Sequence, residues 1–204
     1  MIRAFVGSGG KTTLIHKQAL QYLEEGKRVF VTTSTHMAIE KDTLLTDDAD
    51  AIIRQLEKTG YAMAGLPEGG KIRSLSRDTY AQVCAHADVV LVEADGSNRK
   101  PIKFPNSTEP VIYDNAEEIA IVCGLHALGK PLGEVAHRPE LVKQCLSASE
   151  DTAITLEHIA KLVLQGYLRP LRRRYPDIPL SVYPAGGTGE EALRLFSLLK
   201  EMRI

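Results

Sequence analysis

The sequence contains little cysteine and no excess of either charge. Its three cysteines, Cys84, Cys123 and Cys145, lie far apart and form no Cys-x-x-Cys pair, so neither a zinc knuckle nor a disulfide framework is indicated. Buried thiols are one interpretation, and Cys123 facing a site is the other. The 25 basic and 26 acidic residues leave a formal net charge of -1. This balance gives no field to attract nucleic acid or an anionic membrane, and it favours a small-molecule or protein partner.

Long apolar runs are also absent. No stretch approaches the roughly 18 apolar residues of a membrane span, and the first apolar run turns into glycines at Gly7, which leaves no room for a secretion signal. We therefore expect a cytoplasmic protein. The 204 residues, 44% of them hydrophobic, suit one domain over 1–204, because domains usually contain about 100 to 200 residues.

Apolar runs alternate with helical patterns along the chain. The strand candidates are residues 2–6, 29–33, 89–92, 119–123 and 180–183. The helix candidates are residues 11–25, 47–58, 78–86, 139–147, 155–166 and 189–202. This alternation predicts a three-layer α/β fold with a mostly parallel sheet and helices on both faces. The glycine-rich text between Tyr61 and Leu75 predicts an inserted hairpin or loop, and Thr188 with Glu191 predicts a capping box.

A glycine-rich segment after the first strand is the most informative feature. Backbone N–H groups of such a loop and of the following helix bind phosphates, the lysine reaches the outer phosphates, and the first threonine ligates Mg²⁺. The candidate nucleotide-binding residues are Gly7, Ser8, Gly9, Gly10, Lys11, Thr12 and Thr13. Phe5 stands where the first glycine of G-x-x-x-x-G-K-[ST] belongs, so only the shorter G-x-x-G-K-T remains. The alternative is a glycine turn that merely links a strand to a helix. The order of strand, loop and helix favours a single P-loop-like nucleotide-binding domain.

An acidic segment follows the predicted strand 89–92. Glu93 leaves the carboxyl end of that strand, and Asp95 and Gly96 follow. A carboxylate at this point of a P-loop protein holds Mg²⁺ or its water. We assign Glu93, with Thr12, to the metal and Asp95 to a water or an acceptor; Lys11, Glu93 and Asp95 are the catalytic candidates. If the strand continues, Glu93 and Asp95 share one face. The alternative is a strand that ends in an ordinary Asp-Gly turn.

Several residues are candidates for contacts with a second substrate. Arg99 and Lys103 could hold an anion, and Thr33 and His36 follow the second strand at the edge where α/β sheets bind ligands. The alternatives are a solvated basic loop, a strand threonine and a histidine that caps a turn. His137 and Arg138 open a predicted helix, where an arginine can sense an anion. The cluster of Arg169, Arg172, Arg173 and Arg174 is more typical of a solvated helix end.

The sequence contains no N-K-x-D element of the kind that recognises guanine. The corresponding place, after the predicted strand 119–123, contains Gly124, Leu125 and His126. ATP is therefore the favoured nucleotide, and GTP stays open.

Taken together, these segments resemble the YqeC family. The resemblance depends on the loop from Val6 to Thr12, the threonine-rich edge ending at His36, residues 93–105, His137-Arg138 and Ala185-Gly186-Gly187. It covers nearly the whole chain, and residues 93–105 are its most specific part. Members are named as accessory proteins of selenium-dependent molybdenum hydroxylases or as selenium cofactor biosynthesis proteins. The resemblance implies a P-loop NTPase-like fold and a role in maturing a labile selenium centre on enzymes such as xanthine dehydrogenase.

Four hypotheses follow. The first is an Mg²⁺-dependent enzyme that hydrolyses ATP or uses it for activation during selenium or molybdenum cofactor maturation. The second is a nucleotide-gated protein that chaperones a cofactor or docks on the hydroxylase. The third is a small relative of Mur-type amide ligases, to whose ATP loop G-x-x-G-K-T is also similar. The fourth is a degenerate P-loop fold that binds something other than a triphosphate, for which Phe5 is the best support.

Overall fold

A computed structural model describes residues 1–202. Within this range the strands β1 to β11 are Ile2–Gly7, Val29–Thr33, His36–Ala38, Tyr61–Met63, Leu66–Glu68, Lys71–Arg73, Val89–Glu93, Ile102–Lys103, Glu118–Gly124, Ala136–His137 and Leu180–Ala185. The helices α1 to α8 are Lys11–Glu24, Ala49–Thr59, Arg77–His86, Leu132–Val135, Pro139–Leu146, Leu156–Val163, Arg169–Arg174 and Gly189–Glu201. A 3₁₀ turn occupies Leu125–Ala127, and a π-helical stretch occupies Leu164–Leu168.

The chain forms two compact units. Unit 1 contains residues 1–5, 12–96 and 111–118, and unit 2 contains residues 6–11, 97–110 and the described residues from Ile119 onward. The single domain expected over 1–204 stays a prediction. No helix among residues 1–202 combines the length and the apolarity needed to cross a membrane.

Unit 1 is built on parallel strands in the order β1-β7-β2-β4. The register pairs Phe5 with Glu93 and Glu93 with Thr33. The carboxyl ends of β1, β7 and β2 therefore lie at one edge of the sheet. In α/β proteins this edge is where ligands bind.

Helices cover both faces of this sheet. Phe30 points to one face and packs in a buried cluster with residues of α2 and α3, among them Leu56 and Val83. Val29 and Val31 alternate to the other face and are also fully buried. The third long helix of the unit, α1, buries Ile15 and Ala19. Burial of one such large apolar side chain contributes about 1.5–3 kcal/mol.

A small antiparallel sheet in the order β3-β6-β5 also belongs to unit 1. Gly69 and Gly70 form the turn between β5 and β6 with positive φ angles of 54° and 75°, which suit glycine. The hairpin predicted between Tyr61 and Leu75 is thus present. The first residues of this segment, Tyr61–Met63, instead form β4, which we did not predict. β4 pairs with β2 in the main sheet.

Unit 2 contains the parallel pair β9–β11, in register from Ile119 with Leu180 to Gly124 with Ala185. Its helix α8 begins with the predicted capping box, in which the Thr188 hydroxyl accepts from the Glu191 N–H and the Glu191 carboxylate accepts from the Thr188 N–H. The helix predicted over 155–166 was wrong in its last three residues, 164–166. The α-helix ends at Val163 and continues as the π-helical stretch into α7.

The predicted α/β fold with a mostly parallel sheet is confirmed. The strand pairs β1–β7, β7–β2, β2–β4 and β9–β11 are all parallel, and the glycine-rich loop connects β1 to α1. The shorter pair β8–β10 is parallel as well and was not predicted.

Candidate functional site

Gly7 is required by the packing of the loop in unit 2. Its φ is +92°, and a Cβ at this position would lie 2.0 Å from the carbonyl oxygen of Val122 on β9. The next residue, Ser8, donates its backbone N–H to the same oxygen at 2.9 Å. Any side chain at position 7 would therefore push the loop away from β9.

A second contact fixes the loop to residues 97–110. The Ser8 hydroxyl donates to the Pro101 carbonyl at 3.0 Å. A Cβ on Gly9 would lie 2.6 Å from the same carbonyl oxygen and 2.5 Å from the Cα of Gly124. The backbone N–H and the hydroxyl of Ser8 therefore both donate to carbonyl oxygens of the protein. The predicted contact of Ser8 with a nucleotide stays a prediction.

Lys11 is the last loop residue and the first residue of α1. It is buried, and its Nζ donates to the Gly7 carbonyl at 2.6 Å, so the ammonium group lies over the loop backbone. The first turn of α1 contains no acidic residue. The partial positive charge of the helix N-terminus is therefore not offset by a side chain of that turn, which favours an external anion there.

Thr12 contacts Glu93 in unit 1. The Thr12 hydroxyl donates to Glu93 Oε2 at 3.1 Å, as the two predicted metal ligands should if they act together. The Glu93 carbonyl accepts from the Thr33 hydroxyl at 2.8 Å and from the Ser34 N–H at 3.1 Å. Thr33 is fully buried. We conclude that Thr33, predicted to contact substrate, holds the end of β7 and thereby positions Glu93.

Asp95 does not lie on the strand with Glu93. β7 ends at Glu93, after which Ala94 donates its N–H to the Phe5 carbonyl and accepts from the Val111 N–H, both at 2.9 Å. The expectation that Glu93 and Asp95 share a strand face therefore does not apply. Asp95 is nevertheless fully buried. Aspartate is almost never fully buried unless it has a specific partner.

The oxygen atoms of Thr12 and Glu93 suit Mg²⁺. Mg²⁺ prefers oxygen ligands and in nucleotide sites usually takes one or two carboxylates plus phosphate oxygens and waters. Residues 1–202 contain no group of three or more His, Cys, Asp or Glu side chains placed to hold a metal ion. One hydroxyl and one carboxylate fit a metal whose other ligands are phosphate oxygens and waters.

Lys103 and Arg138, both predicted to face a substrate, contact one carboxylate in unit 2. Lys103 Nζ donates to Glu109 Oε2 at 2.8 Å, and Arg138 donates through both terminal nitrogens, Nη2 to Glu109 Oε1 at 3.2 Å and Nη1 to Oε2. The side chain of Lys103 has no exposed area. Burial alone would raise the pKa of Glu109, but the hydrogen bonds from Arg138 and Lys103 outweigh it and hold that pKa below its ordinary value.

Glu109 is a residue that the sequence analysis missed. It holds two elements together, because Lys103 lies on β8 and Arg138 is the N-cap residue of α5, with a left-handed φ of 56°. His137 lies on β10 beside Lys103 in the register. Arg138 keeps a partly exposed side chain and is the better candidate of the two cations for contact with a ligand.

The other predicted substrate residues are His36 and Arg99. His36 lies on the small sheet of unit 1, where its Nε2 bonds Glu68. Arg99 is exposed and has a positive φ of 59°. Thr13, predicted to contact the nucleotide, is exposed on α1 next to Thr12, and its contact with a nucleotide stays a prediction.

The cysteines are not activated thiols. Cys123 is buried on β9, and burial raises its pKa to about 12. Cys84 and Cys145 are half-buried, and burial raises the pKa of Cys84 to about 11 and that of Cys145 above its ordinary value. The thiolate that a nucleophile or soft-metal ligand requires is therefore disfavoured at each position.

A family model described as "YqeC protein" matches residues 3–140, more than half of the chain. The chain belongs to the YqeC family. The match begins in β1 and ends at the start of α5, so it includes the loop, Glu93, the segment 97–110 and Arg138.

One curated relative is the YqeC protein of Escherichia coli (strain K12). It is 29% identical to this YqeC chain over 170 residues, which covers 78% of the chain and 65% of the relative. The chain thus spans slightly less than two thirds of the relative's length. A solved structure, HypB from Helicobacter pylori in complex with nickel, aligns with 99% of this chain and 86% of its own, at 13% identity and a TM-score of 0.34.

Proposed function

We propose that this YqeC-family protein binds a nucleoside triphosphate with Mg²⁺, ATP in preference to GTP, through residues 7–12. The observation that carries the proposal is that the adjacent residues Lys11 and Thr12 make two specific contacts. Lys11 ends a glycine loop whose backbone is held in a fixed conformation, and Thr12, the next residue, contacts the carboxylate of Glu93. A glycine turn that only linked a strand to a helix would need neither a buried lysine nor this pair.

Each part of the site would have its own contact with the nucleotide or the metal. The N–H groups of Gly9, Gly10 and the first turn of α1 would donate to phosphate oxygens, and Lys11 Nζ would exchange the Gly7 carbonyl for a phosphate oxygen. Thr12 and Glu93 would hold Mg²⁺. When bound, the metal would neutralise phosphate charge. Asp95, whose burial keeps it out of bulk water, would orient a water or an acceptor group.

The biological role in the proposal is an accessory one in the cytoplasm, in the maturation of selenium-dependent molybdenum hydroxylases. Membership of the YqeC family supports it. Arg138 is the residue proposed to meet the second substrate, because its guanidinium group is partly exposed and suited to a planar anion.

Calorimetric titration tests the nucleotide site. ATP and GTP are titrated with and without Mg²⁺ into the wild type, Lys11→Ala and Lys17→Ala, an exposed lysine of the same helix α1. We expect Mg²⁺-dependent ATP binding that Lys11→Ala abolishes and Lys17→Ala retains. Absence of binding by either nucleotide, or equal losses in the two variants, would refute the proposal.

Phosphate release separates an enzyme from a gated binding protein. Steady-state release from ATP is measured with the wild type and with Asp95→Asn. Turnover that falls in the variant while ATP affinity is retained supports catalysis by Asp95. Tight binding without turnover in the wild type supports a nucleotide-gated accessory protein instead.

A further inference from the structure

A cleft of about 350 Å³ lies in unit 2, at the junction of the π-helical stretch, α7 and the start of β11. None of its lining residues belongs to the loop at residues 7–13. The lining residues are Leu164, Leu168, Leu180, Arg169, Arg172 and Arg173. The cleft therefore combines an apolar floor with three cations.

Among residues 1–202, the three arginines of the cleft have no acidic partner. Arg169 donates to the Met202 carbonyl at 3.3 Å and Arg172 to the Pro176 carbonyl at 3.4 Å, both long contacts with neutral acceptors. Within residues 1–202 none of the three forms an ion pair with an acidic side chain, whereas Arg138 has a bidentate carboxylate partner in Glu109. Like charges three and four residues apart on a helix repel each other. An anion in the cleft would relieve that repulsion.

The backbone gives a second, independent indication. Leu164 and Leu168 are the first and last residues of the π-helical stretch between α6 and α7. Single π-helical turns inside helices are rare and occur frequently at functional sites. Here the π turn connects directly to the helix that contributes the three arginines, so one irregular element supplies two of the three leucines of the floor and leads into the charged wall.

We propose that this cleft binds a small organic anion that has an apolar body and one carboxylate, sulfonate or phosphate group. Its volume lies at the lower end of the range for ligand pockets, about 300–1,000 Å³. The planar guanidinium groups would pair with the acidic group and pack on a flat ring, while the leucines contact the apolar body. The site does not depend on the proposed nucleotide site.

Fluorescence titration with 1-anilinonaphthalene-8-sulfonate, an aromatic sulfonate, tests this proposal. We expect saturable binding to the wild type and about tenfold weaker binding to Arg169→Gln and Arg173→Gln, since each removes a charged hydrogen-bond donor. Arg174→Gln is the matched control, because Arg174 is on the same helix but its guanidinium packs over Tyr175. It should bind as the wild type does.

Two further arms make the result decisive. Lys11→Ala must retain the probe, because loss of binding there would place the probe at the glycine loop and overturn the assignment. Octanoate should displace the probe, and acetate, which carries the same carboxylate without the apolar chain, should not. No saturable binding, equal effects of Arg173→Gln and Arg174→Gln, or equal displacement by acetate and octanoate would each refute the proposed ligand class.

Discussion

The hydroxyl of Thr12 donates to the carboxylate of Glu93 at 3.1 Å, across 81 residues of sequence. The contact brings the first turn of α1 to the end of β7. It joins the two residue types, a hydroxyl and a carboxylate, that together ligate Mg²⁺ beside a nucleotide. The role of Thr12 can be tested against Thr13, because Thr13 has the same side chain one position further on.

Removal of the Thr12 hydroxyl should weaken nucleotide binding only where Mg²⁺ takes part. We expect Thr12→Ala to lower the affinity for Mg²⁺-ATP about tenfold, the usual effect of one lost charged contact, and to leave metal-free binding unchanged. Thr12→Ser should restore the metal effect. The measurement is calorimetric titration with and without Mg²⁺. Equal behaviour of Thr12→Ala and Thr13→Ala would contradict the assignment.

The Ser8 hydroxyl should contribute to stability, because it ties the loop to Pro101 in unit 2. We expect Ser8→Ala to lower the free energy of unfolding by about 1 kcal/mol, the typical value for one buried hydrogen bond. Ser107→Ala, an exposed position on the same segment 97–110, is the control and should change little. Denaturant titration measures both. A Ser8→Ala protein as stable as the wild type would show that the hydroxyl contact does not hold the loop.

Lys103 should be far more important to stability than a partly exposed lysine with a similar contact distance to a carboxylate. We expect Lys103→Met to lower the free energy of unfolding by about 3–5 kcal/mol, because it leaves Glu109 buried with one cation fewer. Lys143, partly exposed on α5, bonds Glu150 at 2.7 Å, so Lys143→Met is the matched control and should change little. Thermal or denaturant unfolding compares them. Similar losses in the two variants would refute a special role for the buried pair.

Glu109 should make stability fall in acid. Its pKa in the folded protein is below the ordinary value of 4.5, so its stabilising contribution is complete above that value and is lost as pH falls through the folded pKa. The free energy of unfolding of the wild type, measured from about pH 7 to about pH 3, should therefore fall more steeply in the acid range than that of Glu109→Gln. Glu190→Gln, at an exposed position on α8, should keep the wild-type slope. Parallel profiles for wild type and Glu109→Gln would count against the assigned role.

The sequence predicted the long elements of the fold well. Near-continuous apolar runs mark β2, β7 and β9 because strands covered on both faces need no polar alternation. β8 and β10 have two residues each, too few for any periodicity. β4 was hidden because its three residues Tyr61–Met63 precede a glycine-rich turn, whose signal dominated the local pattern.

Some residues of the candidate site could be predicted from the sequence, and others could not. Lys11, Thr12 and Glu93 could be predicted because their chemistry follows from a local motif and from the end of a buried strand. Glu109 could not, since it lies in a loop 6 residues from Lys103 and 29 from Arg138, and only the tertiary fold brings the three together. Thr33 was assigned to a ligand because a sequence does not reveal that its hydroxyl contacts the backbone of Glu93.

The close approach of Gly7 to Val122 has a consequence for how the family's history can be interpreted. A relative that had lost all affinity for nucleotides would still need glycine at this position, because the constraint comes from the neighbouring strand. We therefore expect Gly7 to persist through loss of activity, whereas Lys11 and Thr12 would drift once no ligand selected them. Among diverged relatives, the lysine and the threonine would distinguish proteins that still bind a nucleotide from those that do not. The glycine would not distinguish them.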